Sequence, residues 1–340
     1  MIAFTKSFRG ILILAVLTAH ALALDFRADP NWLKLPSGRP QLGNQHGDVA
    51  VSAKGEVYVS TMDPKAGIMV FNAEGKYLRN VPGAPDDFHG FVIRKDRGQE
   101  FIFGPRLNGQ TILKLTLDGQ KVLEIPASAI PDQFKVETPK TKKNAQGETV
   151  PNPDAGKRIV RLTAMDVAPN GDLFVTDGYS SDYVHHFDRT GKYLASFGGK
   201  KEPYNFKTLH KIAIDTRFNP LRIVACDRTN NRVVHLSLDG KFLGVVATDL
   251  LLPAAVAVQG NYLAIGELKG QVTVLDKAGQ VVAKLGTNTN ADEAGKNTPK
   301  PEAWRPGIVT APHGVVFLAN GDLLVSEYTL FGRVHRFNRQ

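Results

Sequence analysis

Residues 171–199 read GDLFVTDGYSSDYVHHFDRTGKYLASFGG, three β-rich runs at 173–176, 183–187 and 193–197 separated by Asp177-Gly178 and by the turn formers of 188–191. The pattern returns as VYVSTMDPKAGIMVFNAEGKYL from Val57, FIFGPRLNGQTILKLTLDGQKV from Phe101 and IVACDRTNNRVVHLSLDGKFL from Ile223. It returns again as LAIGELKGQVTVLDKAGQVV from Leu263 and LLVSEYTLFGRVHRFNRQ from Leu323, which makes six copies. Each copy follows a further strand that opens on a small or polar residue and then alternates, near His46, His89, Thr163, His210, Ala254 and His313. A four-strand meander of this kind cannot cover both faces of its own sheet, whereas six arranged radially cover one another. The expected fold is all-β, a six-bladed β-propeller. The last copy ends at Gln340 before an outer strand, so the strand-like piece at 32–35, containing Trp32, is expected to close the ring and remove an exposed edge.

Lys6 and Arg9, the apolar run 11–17 and Ala21-Leu22-Ala23 have the form of a removable export signal over residues 1–23. The run is shorter than the roughly 20 residues that a bilayer span needs. The expectation is a secreted or periplasmic single domain over 24–340, monomeric and without membrane insertion after signal removal. Loss of Lys6 and Arg9 takes the formal net charge from +9 to +7, and the other cations are scattered, so no nucleic-acid stripe is formed. The one cysteine, Cys226, excludes an intramolecular disulfide framework. Two connections, 126–158 and 286–310, are long, polar and without period. They are expected either to cover a site, with Trp304 as its apolar contact, or to be disordered.

Strand direction alternates within a blade, so the starts of the inner strands and the loops between second and third strands share one face. The first set places His46, His89, His210 and His313 around the channel mouth. The second contributes Met62-Asp63, Arg106, Asp177-Gly178-Tyr179, Asp227-Arg228, Glu267 and Glu327-Tyr328. His89, His210 and His313 occupy the same place in blades two, four and six, a third of a turn apart, so their rings can converge on the axis. Three neutral histidines with an open fourth position form the ligand set of a catalytic zinc site. His46 breaks the three-fold pattern and is read as lining the channel or supporting the others. Each residue also has a plainer reading: a histidine can cap a strand, Tyr179 can pack on the rim, and Arg228 can pair with Asp227. Asp177, Asp227, Glu267 and Glu327 recur at one repeat position and suit bonds to turn amides. His185, His186, His235 and His335 fall on third strands and are assigned to structure.

The repeats resemble NHL repeats over residues 45–340, best in VTDGYSSDYVHHFDRTGKYLASFG and VACDRTNNRVVHLSLDGKFLG. Among NHL propellers the closest likeness is to the catalytic core of peptidyl-α-hydroxyglycine α-amidating lyase. That resemblance implies zinc on His89, His210 and His313, with Tyr179 and Arg228 as catalytic residues. It implies an exported lyase that cleaves the C–N bond of an α-hydroxyglycine-like small molecule or peptide to an amide and glyoxylate. The chain departs from the family twice. Thr61-Met62-Asp63 stands where the family has a blade-one arginine, which Arg106 could replace unless it is simply solvated. Gly314 stands where the family has an acidic calcium ligand, which argues against calcium. The alternatives are a non-catalytic propeller that binds a peptide, glycan or protein, and a lactonase-like calcium hydrolase, which favours an Asp, Asn and Glu cage over histidines.

Overall fold

The computed structural model describes residues 23–144 and 146–340, so the expected export signal lies outside the described residues except for Ala23. The chain forms six four-stranded antiparallel sheets. Their inner strands are Val49–Val51, Val92–Asp96, Ala164–Val167, Leu209–Asp215, Pro253–Gln259 and Pro312–Phe317, and each lies beside the next, the last beside the first. The molecule is a six-bladed β-propeller, and the helices among the described residues are single 3-10 turns.

The second strand of blade three, Leu173–Thr176, is buried on both faces, as are Val57–Ser60 and Ile68–Phe71 of blade one. The partners of those faces are on other blades. Phe103 and Ile112 of blade two pack with Met165 and Val175 of blade three, and equivalent clusters fill the other five interfaces. A fully buried side chain of this size contributes about 1.5–3 kcal/mol, and a lone blade would leave about half of these contacts open to water.

The ring closes in blade six, whose strand order ends on Phe26–Asp29 paired antiparallel with Val334–Arg339. The closing strand is therefore 26–29 and not the expected 32–35. Its sequence, Phe-Arg-Ala-Asp, sends only Phe26 and Ala28 toward the core between blades five and six, so it lacks a strong apolar signature. Residues 32–35 instead clamp the outside of blade one. Trp32 is buried between blades six and one, its indole N–H donates to the Ala73 carbonyl at 2.9 Å, and Lys34 bridges Lys76. Gly75 makes this approach possible, because it has φ +77° and a β-carbon there would collide with the Trp32 carbonyl.

The first long connection contains short strands of its own, whereas 286–310 has only the 3-10 turn Pro301–Ala303. Within 126–158, Val136–Glu137 pairs with Arg158–Ile159 and Thr141–Lys143 with Thr149–Pro151, while Phe134 sits edge-on to Tyr183 at 5.0 Å. The 286–310 segment is tied to blade six by the Leu330 amide, which donates to the Asn297 carbonyl at 3.0 Å. Trp304 lies under the Arg333 guanidinium at 4.8 Å, which accounts for its apolar face without the channel.

Two tests follow from the closure. Trp32→Ala is expected to cost about 3–5 kcal/mol in urea denaturation. Deleting 24–29 should leave Val334–Arg339 as a bare edge and produce concentration-dependent association in size-exclusion chromatography; a deleted form as stable and monomeric as the parent would show that the strand does not close the ring.

Candidate metal centre at the channel mouth

Strand register fixes which residues are equivalent. Phe88 lies opposite Arg106, Leu209 opposite Asp227 and Pro312 opposite Glu327, and in each blade the next residue is the histidine, His89, His210 or His313. The same count gives Gly47, Thr163 and Ala254 in blades one, three and five. His46 is one residue ahead of this position.

The alternation produces a pattern of bonds. His89 Nδ1 is 2.8 Å from the Thr163 carbonyl, His210 Nδ1 2.6 Å from that of Ala254 and His313 Nδ1 2.9 Å from that of Gly47. A carbonyl only accepts, so each Nδ1 carries the ring proton and each Nε2 keeps a lone pair. Burial, reinforced by neighbouring charge, holds all three well below the usual histidine range, so they are neutral at pH 7.

Two of these nitrogens meet at the hydroxyl of Tyr179. Its oxygen is 3.0 Å from His89 Nε2 and 3.1 Å from His210 Nε2, and Arg228 Nη1 donates to it at 3.3 Å. One phenolic proton cannot satisfy two nitrogen lone pairs, and His313 Nε2 is buried without a hydrogen-bond partner among the described residues. The centre thus has more acceptors than protons, which is the electrostatic condition of a cation site. The donor set fits a metal that prefers nitrogen.

His46 joins the cluster. Its ring lies 4.6 Å from His89, 4.9 Å from His313 and 4.3 Å from Tyr328. His46, His89 and His313 offer ligand atoms within 4.8 Å of one another and could hold a metal. His46 differs from the other three in having no carbonyl anchor on its ring among the described residues, and burial with the Arg228 charge pushes it down to about 4. Sequence reasoning placed His46 on the channel wall and gave Tyr328 no role. A histidine one residue out of repeat register beside a loop tyrosine was the available signal.

The remaining candidates divide clearly. Arg228 does not pair with Asp227, whose carboxylate takes Arg232 at 2.7 Å, Asn230 at 2.7 Å and the Lys207 amide at 2.8 Å. It lies over the Tyr179 ring at 5.3 Å. Asp177, Glu267 and Glu327 each accept a turn amide at 2.5 Å, from Arg161, Leu251 and Thr310. Blade two reverses the polarity, with Arg106 bound to Asp87 at 2.7 Å, so Arg106 does not replace the missing blade-one arginine. His185, His186 and His235 bond Ser196, Asp172 and Asp215, and His335 Nε2 lies 3.2 Å from the Glu327 carboxylate, so none of the four joins the histidine cluster.

Calcium does not fit the position after His313. A side chain at Gly314 would collide with the Asp48 carboxylate and the Ser326 hydroxyl. Asp48 in turn receives the buried ammonium of Lys211 from blade four, on the opposite side of the ring. A fixed cation already occupies the acid of this level.

Substitutions should separate the two possible ligand sets. His89→Ala and His313→Ala, common to both, are expected to abolish stoichiometric metal, measured by elemental analysis after purification without chelator. His210→Ala should do the same and His46→Ala should retain most of the metal, because the carbonyl bond that orients a ligating ring is present at His210 and absent at His46. The reverse result would assign the third nitrogen to His46.

No family model matches the chain, and no curated protein sequence matches it. Among solved structures it is similar to virginiamycin B lyase from Staphylococcus aureus, with 15% identity and a TM-score of 0.57 over 92% of this chain and 99% of that one. It is similar to a gluconolactonase from Xanthomonas campestris, with 12% identity and a TM-score of 0.59 over 94% of this chain and 98% of the other. The WD40 β-propeller domain of Doa1 matches with 9% identity and a TM-score of 0.55 over 93% of this chain and 98% of that domain. At these identities the likeness establishes the fold, a β-propeller that carries a lyase and a gluconolactonase among its neighbours.

Proposed function

We propose that the chain is a zinc-dependent lyase that cleaves the C–N bond of an α-hydroxyglycine-like carbinolamide. The observation that carries this reading is the cluster of three carbonyl-anchored imidazoles, two of which, His89 and His210, reach the Tyr179 hydroxyl, with the His313 ring packed against both and Arg228 beside them. The amidating-lyase resemblance names His89, His210, His313, Tyr179 and Arg228, which lie near one another, and His46 lies among them as well. The propeller neighbours described as a lyase and a gluconolactonase make an enzymatic role plausible for this architecture. The leader-like start supports a place outside the cytoplasm.

His89, His210 and His313 would hold zinc through Nε2. Bound there, zinc would supply a Lewis acid that lowers the pKa of a coordinated hydroxyl. The chain's own groups provide the proton path. Tyr179 Oη relays the proton, passing its own to the departing amide nitrogen as it accepts that of the substrate hydroxyl. The C–N bond breaks, the C–O bond becomes a carbonyl, and the products are an amide and glyoxylate. Burial raises the Tyr179 phenol despite the opposing Arg228 guanidinium, so the hydroxyl holds the proton that the relay passes on. The same guanidinium is placed to hold the substrate carboxylate.

Glyoxylate release from hydroxyglycine-capped peptides by zinc-loaded protein is the direct test. Tyr179→Phe should keep its metal and lower kcat by about 10²–10⁴-fold, the usual worth of a positioned acid–base group. Zinc-loaded protein that releases no glyoxylate from a range of side chains would overturn the chemistry and leave a propeller that binds without reacting.

A further inference from the structure

A groove of about 590 Å³ opens beside Tyr179 between the mouth loops of blades three and four. Its lining includes Ser180, Lys200, Asn205, Lys207, Thr208 and Asn230, so it offers amides, hydroxyls and two ammonium groups. Lys200 and Lys207 are exposed, and Arg161, whose carbonyl accepts the Tyr179 amide at 3.3 Å, adds a third exposed cation.

Three acids of this region are buried and a fourth, Glu202, is exposed. Asp177 and Asp227 are fully buried and committed to backbone amides. Asp182, in the groove lining, is 3% exposed, accepts the Leu209 amide at 2.8 Å and pairs with Lys200 at 3.7 Å. Glu202, an exposed acid near them in sequence, is engaged by the Asn205 side-chain amide at 2.5 Å. Lys200 is set against Asp182, and Glu202 keeps its charge under a neutral amide, so the excess positive charge presented to the groove comes from Lys207 and Arg161, and Arg228 continues it to the axis.

The groove is also rigid at the points that matter. Asp182, Asn205 and Thr208 all hold left-handed backbone, at φ 63°, 50° and 63°. A β-branched residue such as Thr208 adopts that conformation only when its surroundings fix it. The Arg228 amide donates to the Thr208 carbonyl at 3.0 Å, which ties the groove wall to the residue beside Tyr179.

The geometry points to a substrate whose far half, beyond the cleaved bond, carries carboxylates: an acidic peptide lying along Lys200 and Lys207. This inference rests on the reading of the channel mouth as the lyase site, and it adds the class of chain that the site selects.

Binding to the zinc-loaded full chain can be measured by calorimetry without turnover. The probes are acetyl-glutamyl-glutamyl-glycine and acetyl-lysyl-lysyl-glycine. The acidic peptide should bind about tenfold more tightly at low salt, and the difference should shrink at high salt. The doubly substituted Lys200→Glu, Lys207→Glu protein should reverse the preference. Equal affinity for the two peptides, or an acidic preference unchanged in the double variant, overturns the proposal. Glyoxylate release from the hydroxyglycine forms of both peptides is scored separately: if neither is cleaved while the acidic preference holds and reverses, the lyase reading falls and the groove stands.

Discussion

A four-stranded blade with two apolar faces has no stable existence in water, and this constraint organises the molecule. Each face must be covered by another blade, and a ring is the arrangement in which every blade meets that need with the same geometry. The core is accordingly six shared interfaces rather than one interior. Because the units are equivalent, a residue type repeated at one strand position is repeated in space around the axis. Chemistry at the channel mouth is thus a consequence of packing demands met further out.

The mouth uses that equivalence in two ways. One repeat position supplies an imidazole in blades two, four and six and a backbone carbonyl in blades three, five and one. Backbone oxygens cannot be lost by substitution, so the tautomer of each ring is set by the fold itself. Burial keeps the rings neutral; the lone pairs of His89 and His210 face a single phenolic hydroxyl, and that of His313 is left without a partner among the described residues. The loop acids deeper in each blade fix the turns that carry Tyr179 and Arg228, which separates the groups that build the site from the groups that face it.

Much of this was legible because period and turn chemistry are sequence properties. The six units, the equivalence of His89, His210 and His313, and the amide-binding role of Asp177, Asp227, Glu267 and Glu327 all follow from counting. What escaped depends on register at the level of one residue or on partners distant in sequence. His46 shares the His-Gly pair with His313, yet pairing in blade one assigns the equivalent place to Gly47. Asp227 is claimed by Arg232 across the hairpin, which frees Arg228, and adjacency in sequence suggested the opposite. The closing strand escaped because an edge strand with one covered face needs few apolar residues, whereas Trp32 advertised a neighbouring clamp.

The bond between His313 and Gly47 joins residues 266 positions apart, across the seam where the last blade meets the first. Gln45 and Thr329 bridge the same seam. Two of the three anchors can form while the ring is still open, since blades two and three, or four and five, are neighbours along the chain. The third waits for the ends to meet, and long-range contacts of this kind form late in folding. The complete nitrogen set is therefore a property of the finished ring alone. This ordering keeps a partly closed chain from presenting the full set of nitrogens, and it makes the centre a marker of correct assembly.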